Sequence, residues 1–404
     1  MIVRYYKNSR GKAVKLAEFY EKHEHNIRKE EIDHNALFIC DRLRNAGYEA
    51  YIVGGAVRDM IIGRKPKDFD IVTDAYPRQI KKLFRNARII GRRFLLVHVI
   101  MGGTIYEIST FRASNTVTGD NNCFGTIRED VWRRDFSINA LYYSPKTEQV
   151  IDFVGGFRDL LKRIVRPIIP LRIIFQEDPV RLIRAAKFSV MINGDIPFLL
   201  KLFIIFNAHR IVTVSSSRLT EELFKIMKMD GTTEVFRKLA RLNILRYILP
   251  GVYEIQKKSL FYDTMDKFDQ AKEEGKLDLS KSSTLLEPLI TDYLEVVVFY
   301  DDVANQTISE VMEQLKTFLR PVIPPNVALL EAIRNVMSKN GFKLRYRRNQ
   351  SEKPVQEGEE GDKPKKRRRR RPKKKSVPQP VQSDVQPRQA DSGQVNPPSD
   401  QSQG

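Results

Sequence analysis

The sequence predicts an α+β protein: a head built on a small mixed sheet with flanking helices, then an all-α neck and body, then a disordered basic tail. Three observations carry that expectation. Short runs rich in β-branched and aromatic residues alternate with helix-like stretches over roughly residues 31–165. From about residue 178 the periodicity becomes helical, and after residue 340 large apolar side chains almost vanish. The expected division is an N-terminal extension at 1–30, a head at 31–165, a helical neck at 166–232, a helical body at 233–340 and a disordered tail at 341–404.

Each element has its own signal. EIDHNALFICDRLRNAG places Ile32, Ala36, Ile39 and Leu43 on one stripe and closes on Gly47, so it reads as an amphipathic helix with a glycine cap. YEAYIVGG, DFDIVT, RIIGRRF, LLVHVIM and IYEISTFR read as strands of one sheet. PIIPLRIIFQEDP, 167–179, reads as an apolar linker. DPVRLIRAAKFSVMI, SSRLTEELFKIMK, GTTEVFRKLARLNILRYIL, ISEVMEQLKTFL and NVALLEAIRNVMSK read as helices, with Ser216, Ser217 or Thr220 as N-caps of the second.

Composition narrows the partner. The 404 residues are enough for two or three domains, and 70 Lys or Arg against 50 acids leave a formal charge of +20, which suits a polyanion such as nucleic acid. Residues 341–404 hold 17 of those cations and 8 of the acids, so +11 stays on the remainder. Cys40 and Cys123 have no paired spacing, which argues against a disulfide framework or zinc site. No signal-peptide pattern opens the chain and no run of about 18 apolar residues follows, so a soluble intracellular protein without membrane contact is expected.

The chemistry concentrates in YIVGGAVRDMIIGRKPKDFDIVTDA, residues 51–75. Residues i and i+2 of a strand share a face, so Asp68 and Asp70 would set two hard carboxylates side by side, with Phe69 turned to the core. Such a pair repels unless a cation joins it, and it suits Mg²⁺ held together with substrate phosphates. Gly54 and Gly55 end an apolar strand and let backbone approach a phosphate; Arg58 adds a two-pronged donor, with Asp59 its orienting partner. Read alone, each piece is more often a glycine turn or a solvated acid.

GGAVRD followed by KDFDIVT resembles the head signature of the class II nucleotidyltransferases, the group of the CCA-adding enzymes and the bacterial poly(A) polymerases. EISTFR at 107–112, RRDFSINAL at 133–141, DFVGGFRDL at 152–160 and EDPVRLIRAAKF at 177–188 follow in the family's order, and the resemblance spans about 26–190. It implies a polymerase-β-like head and template-independent transfer by a two-metal mechanism, with ATP as substrate and two Mg²⁺ ions held by Asp68 and Asp70. It makes Asp135 the third essential residue, also in the ribose-recognition segment, with Glu107 the second choice as a metal ligand. It places Arg112, Arg133 and Arg134 near phosphate or ribose, and has Asp178 and Arg181, on one face with Arg184 and Phe188, read the incoming base. Leu182, Ile183, Ala186 and Val190 form that helix's buried face.

GRRF followed by a Val-His pair within 85–103 resembles the poly(A) polymerase branch, and Arg92 and Arg93 beside Phe94 suit a nucleic-acid surface. His98, between apolar neighbours, reads as structural. The run Lys365, Lys366, Arg367, Arg368, Arg369, Arg370, Arg371, Pro372, Lys373, Lys374, Lys375 resembles that branch's basic extension and would hold RNA phosphates by counterion release. The body looks abridged against the family. The resemblance thus implies AMP addition to RNA 3′ ends by a cytoplasmic bacterial monomer linked to mRNA processing and decay, with RNA-decay proteins as further partners of the tail. CCA addition to tRNA shares every motif and is the alternative; a catalytically weakened RNA-binding protein is the reading from another class.

Overall fold

The computed structural model describes residues 1–7, 12–91, 95–113, 124–257, 260–295 and 307–341. Arg92, Arg93, Phe94, Cys123 and the whole run 365–375 lie outside the described residues.

The sheet is larger than expected. Among the described residues it has nine strands: β1 (Ile2–Lys7), β2 (Ala13–Tyr20), β3 (Ala50–Val53), β4 (Asp70–Thr73), β5 (Ala87–Ile90), β6 (Leu96–Met101), β7 (Thr104–Thr110), β8 (Leu141–Ser144) and β9 (Gln149–Asp152), in the order β1-β2-β9-β8-β3-β4-β7-β6-β5. It is mixed, since β4 and β7 run parallel while the other pairs are antiparallel. Residues 1–30, read as an extension, supply two of these strands, and Phe19 pairs with Ile151 across β2 and β9. The alternation in AVKLAEFY is blurred by Lys15 and Glu18, a charged pair that folds back on itself, which hides the strand.

Helices α1 (His34–Asn45), α2 (Gly55–Ile61), α3 (Pro77–Leu83), α4 (Ile127–Trp132) and α5 (Gly156–Leu161) accompany the sheet. The stripe on α1 is buried as expected, and the helix ends where Gly47, at φ 88°, donates to Arg44 O while Tyr48 donates to Leu43 O. Only glycine adopts that φ without strain.

Beyond the sheet the described residues are helical: α6 (Leu171–Glu177), α7 (Val180–Met191), α8 (Phe198–Asn207), α9 (Ser216–Met227), α10 (Thr232–Arg241), α11 (Leu245–Ile248), α12 (Pro250–Ile255), α13 (Phe261–Glu273), α14 (Ser282–Tyr293), α15 (Ile308–Leu319) and α16 (Asn326–Lys339). The apolar linker before the EDP motif is therefore α6, which buries Ile174 and Phe175. The long run GTTEVFRKLARLNILRYIL breaks into α10 and α11 at Asn243, whose φ is 59°. Ser215 holds the N-cap position of α9, one residue earlier than expected and without a side-chain capping hydrogen bond, and Thr220 lies inside the helix with its hydroxyl on Ser216 O. One apolar cluster runs from the head through α7, α9 and α10 into α14 and α16, so neck and head share a core. No helix among the described residues is long and apolar enough to cross a membrane.

Candidate active site

A cleft of about 540 Å³ lies between the sheet, where β3 ends and β4 begins, and the neck helices α7 and α9. Strand β3 ends at Val53, and Gly54, at φ 71° and ψ −123°, swings the chain into α2. Its own amide is used on Leu141 O, 3.2 Å away, which leaves the amide of Gly55 at the open start of α2. Both glycines line the cleft.

Arg58 is less available than the sequence implied. It is buried, donates to Asp59 Oδ1 through Nε at 2.8 Å and to Asn139 Oδ1 through Nη1 at 2.7 Å, and lies over the Phe188 ring. Asp59 is the orienting partner, and Arg58 ties α2 to the RRDFSIN segment more than it offers a free two-pronged phosphate donor.

Of the two aspartates, only Asp70 is on the strand and Asp68 lies just before it; both are exposed, and Phe69 packs against the core. Neither carboxylate makes a hydrogen bond or ion pair to a described residue. Asp70 opens into the cleft, yet protein surrounds it on most sides. That crowding, then the Glu107 carboxylate and Asp68, push its carboxyl up to about 6, against Arg134 and Lys225. Glu107 sits beside it because β4 and β7 pair in parallel with Ile71 opposite Ile108. Glu107 is exposed, and its Oε1 is 3.6 Å from His98 Nε2 across β6 and β7, so His98 is a cross-strand neighbour.

Opposite stands a constellation centred on Asp130, a residue outside the sequence motifs. Asp130 is 0% exposed on α4 and receives Arg133 Nε at 2.8 Å, Arg134 Nη2 at 2.9 Å and the Tyr142 hydroxyl at 2.8 Å. Burial alone would raise its carboxyl, but Arg134 and Arg133 outweigh that and hold it down at about 2. Arg134 also reaches Asn139 O at 3.2 Å. Asp130 thus locks both arginines toward the cleft, and its signal was the i, i+3, i+4 spacing in REDVWRR. Arg112 lines neither this cleft nor its neighbour; its amide bonds Asp130 Oδ1 at 3.3 Å, and burial beside Arg133 lowers its guanidinium to about 10.

Asp135 is 8% exposed and saturated: Arg184 Nε lies 2.6 Å from Oδ2, with the Phe136 amide at 2.8 Å and Asn139 Nδ2 at 3.4 Å on Oδ1. Arg184 and its partners outweigh burial and keep the carboxyl below its ordinary value. A second carboxylate fixes this segment from behind, because Asp152 accepts the amides of Val154, Gly155, Gly156 and Phe157. That turn brings Gly156 so close to Ser137 O that no side chain fits there.

On α7, Arg181, Arg184 and Phe188 share the cleft face with Asp178, while Leu182, Ile183 and Ala186 are buried and Val190 half-buried. Asp178 and Arg181 do not pair with each other. Asp178 accepts Arg218 Nη2 at 2.9 Å and Arg181 donates to Glu177 Oε2 at 2.9 Å. Across from them Lys187 and Glu222 form a buried pair at 2.8 Å between α7 and α9. The lining cations Arg58, Arg133, Arg134, Arg181, Arg184, Lys187, Arg218 and Lys225 outnumber the acids Asp70, Asp135, Asp178 and Glu222. The cleft therefore favours a small polyanion that also has hydrogen-bonding edges.

A family model described as the poly(A) polymerase head domain matches residues 50–166, and one described as a probable RNA and SrmB-binding site of polymerase A matches 201–255. Poly(A) polymerase I of Salmonella typhi is 40% identical over 244 residues, 57% of this chain and 52% of its own length. The CCA-adding enzyme of Lactobacillus delbrueckii subsp. bulgaricus is 34% identical over 217 residues, 52% of this chain and 54% of its own. The chain spans about half the length of these curated relatives. The fold is similar to that of the Thermotoga maritima CCA-adding enzyme solved with tRNA-CCA, at a TM-score of 0.52 and 20% identity over 80% of this chain and 86% of that one. Residues 50–166 thus match the poly(A) polymerase head domain, and over about half its length the chain is similar to the poly(A) polymerases and the CCA-adding enzymes.

Proposed function

We propose that the protein transfers AMP from ATP to RNA 3′ hydroxyls and releases pyrophosphate. The carrying observation is Asp70, a carboxylate with no partner that opens into a cleft otherwise lined by an excess of fixed cations. The 3′ oxygen forms a bond to the α-phosphorus, the bond from that phosphorus to the β-phosphate oxygen breaks, and the hydroxyl proton leaves to solvent.

The donor set fits a hard divalent cation: Asp68 and Asp70 are free of protein partners, and Glu107 adds charge beside them. These residues would hold Mg²⁺, two ions by family resemblance, which when bound acidifies the attacking hydroxyl and offsets phosphate charge. Arg133 and Arg134, aimed by Asp130, face the triphosphate, and the start of α2 at Gly55 lets backbone approach it. Asp135, saturated by Arg184 and Asn139, positions the ribose side of the cleft, which leaves Glu107 the better third ligand. Asp178 and Arg181 give complementary groups for a base edge once Arg218 and Glu177 yield. Beyond the cleft, the matched segment 201–255 and the basic run 365–375 would hold RNA, the latter also serving decay-protein partners.

Addition of A alone is preferred because identity to poly(A) polymerase I is 40% against 34% to the CCA-adding enzyme. The test incubates protein and Mg²⁺ with oligo(A) or with tRNA lacking CCA, offering ATP alone or ATP with CTP. A ladder of A additions on oligo(A) is expected. Terminated C-C-A addition would replace it with the CCA reading, and no extension of either RNA would leave an RNA-binding protein.

A further inference from the structure

Asp70 borders a second cavity of about 550 Å³, which adjoins the nucleotide cleft, shares Gly55, Arg58, Asp70, Lys187, Phe188 and Lys225 with it, and is walled by the α2–β4 connection and the ends of α7 and α9. Its chemistry differs from that of the cleft. In the cleft Arg133, Arg134, Arg181, Arg184, Lys187 and Arg218 are each fixed by a carboxylate. In the second cavity Arg64, Lys65, Lys67 and Lys228 have no carboxylate partner among the described residues. Arg64 donates to Met191 O and Lys67 Nζ to Lys228 O at 3.1 Å, so two of the four touch only carbonyls at helix C-termini, and Lys65 and Lys228 remain free to move.

Resting on the nucleotidyl-transfer reading, we infer that this cavity seats the last phosphates of the RNA primer. Fixed, paired guanidiniums suit a ligand read by shape and edges, and mobile ammonium groups suit a backbone read only by charge. A primer that can be any 3′ end needs the second kind of site. In-line displacement also requires the attacking and leaving oxygens on opposite sides of phosphorus, and Asp70 stands at the border of the two cavities. The triphosphate tail is the competing source of the same phosphate chemistry.

The test uses the full chain carrying Lys65→Ala and Lys228→Ala together. With Mg²⁺, KM for oligo(A) should rise on the order of tenfold at about 0.1 M salt, and the slope of log KM against log salt should fall by about 1.4, two contacts at ~0.7 each. KM for ATP should be unchanged. A raised KM for ATP, or a weakened inhibition by pyrophosphate, with KM for oligo(A) unchanged, would assign the cavity to the triphosphate and overturn the inference. If the parent protein extends no RNA, the transfer reading fails by itself, and anisotropy of fluorescent oligo(A) still decides: weaker binding by the double variant supports the primer seat and equal binding refutes it. Lys65→Met with Lys228→Met keeps the aliphatic stems should the alanine pair unfold.

Discussion

Asp130 and Asp70 both lie near Arg134, in two regions of the head, and are treated in opposite ways. Asp130, behind the cleft, is sealed off and bonded by Arg133, Arg134 and Tyr142; Asp70, at its floor, has acids for neighbours and no partner. Desolvation acts against the charge of both, by full burial at Asp130 and by the crowding of protein around the exposed Asp70. At the rear three donors overcome it, so that carboxylate holds structure together; at the floor Arg134 and Lys225 do not, and the proposed reading gives that carboxylate a cation. An acid left at a cost to the folded state is thus a sharper mark of chemistry than a motif match.

The largest expected effect separates the two directly. Asp70→Asn should abolish primer extension while the melting temperature at pH 7.5 rises, because the raised carboxyl penalises the folded state once ionised. The sign follows from linkage: a carboxyl lifted to about 6 favours the folded state when protonated, and that advantage is lost as pH climbs from the ordinary aspartate value through 6. Mg²⁺ should raise the melting temperature of the parent protein at pH 7.5, less at pH 5, and not that of Asp70→Asn. Retained extension, or an equal Mg²⁺ shift in the variant, would show the cation lies elsewhere.

Asp130→Ala comes next and should act on stability. It leaves Arg133 and Arg134 without their buried acceptor, a loss of about 3 kcal/mol or more, visible in urea unfolding as a lower midpoint. Asp130's contribution is fully present above the ordinary aspartate range and fades only as pH falls toward 2, so the gap between parent and variant should hold from pH 5 to 8. Constant stability with weakened ATP binding would make Asp130 a ligand-facing group instead. Smallest is Tyr142→Phe, which removes one donor from Asp130 and one acceptor from Arg134 and should cost about 1 kcal/mol with extension retained.

The legible part of the molecule was the part written locally. The stripe Ile32, Ala36, Ile39, Leu43 and its Gly47 end, the DIVT part of the strand DFDIVT and the cleft face of α7 all follow from spacing, and the structure keeps them. What was hidden depends on partners far along the chain. The pairing of β2 with β9 joins residues more than a hundred apart, and Lys187 meets Glu222 only when α7 and α9 pack. Asp178 and Arg181 are close in sequence, yet each was claimed by a third residue, because an ion pair forms with whichever opposite charge the fold brings nearer. Asp130 was readable from REDVWRR, but a surface acid on a short helix has the same spelling until burial is known.

The contact of Gly156 with Ser137 gives the DFVGGFRDL motif a meaning apart from nucleotide binding. Asp152 gathers four amides into a turn that brings a bare α-carbon against the short helical segment between Asp135 and Asn139. The motif is a mould rather than a tool. A methyl group added there would reach no substrate yet would displace the carboxylate that holds Arg184, so the protein has inherited a position where tolerance to change is narrow for a purely mechanical reason, and heat-sensitive variants should gather around it.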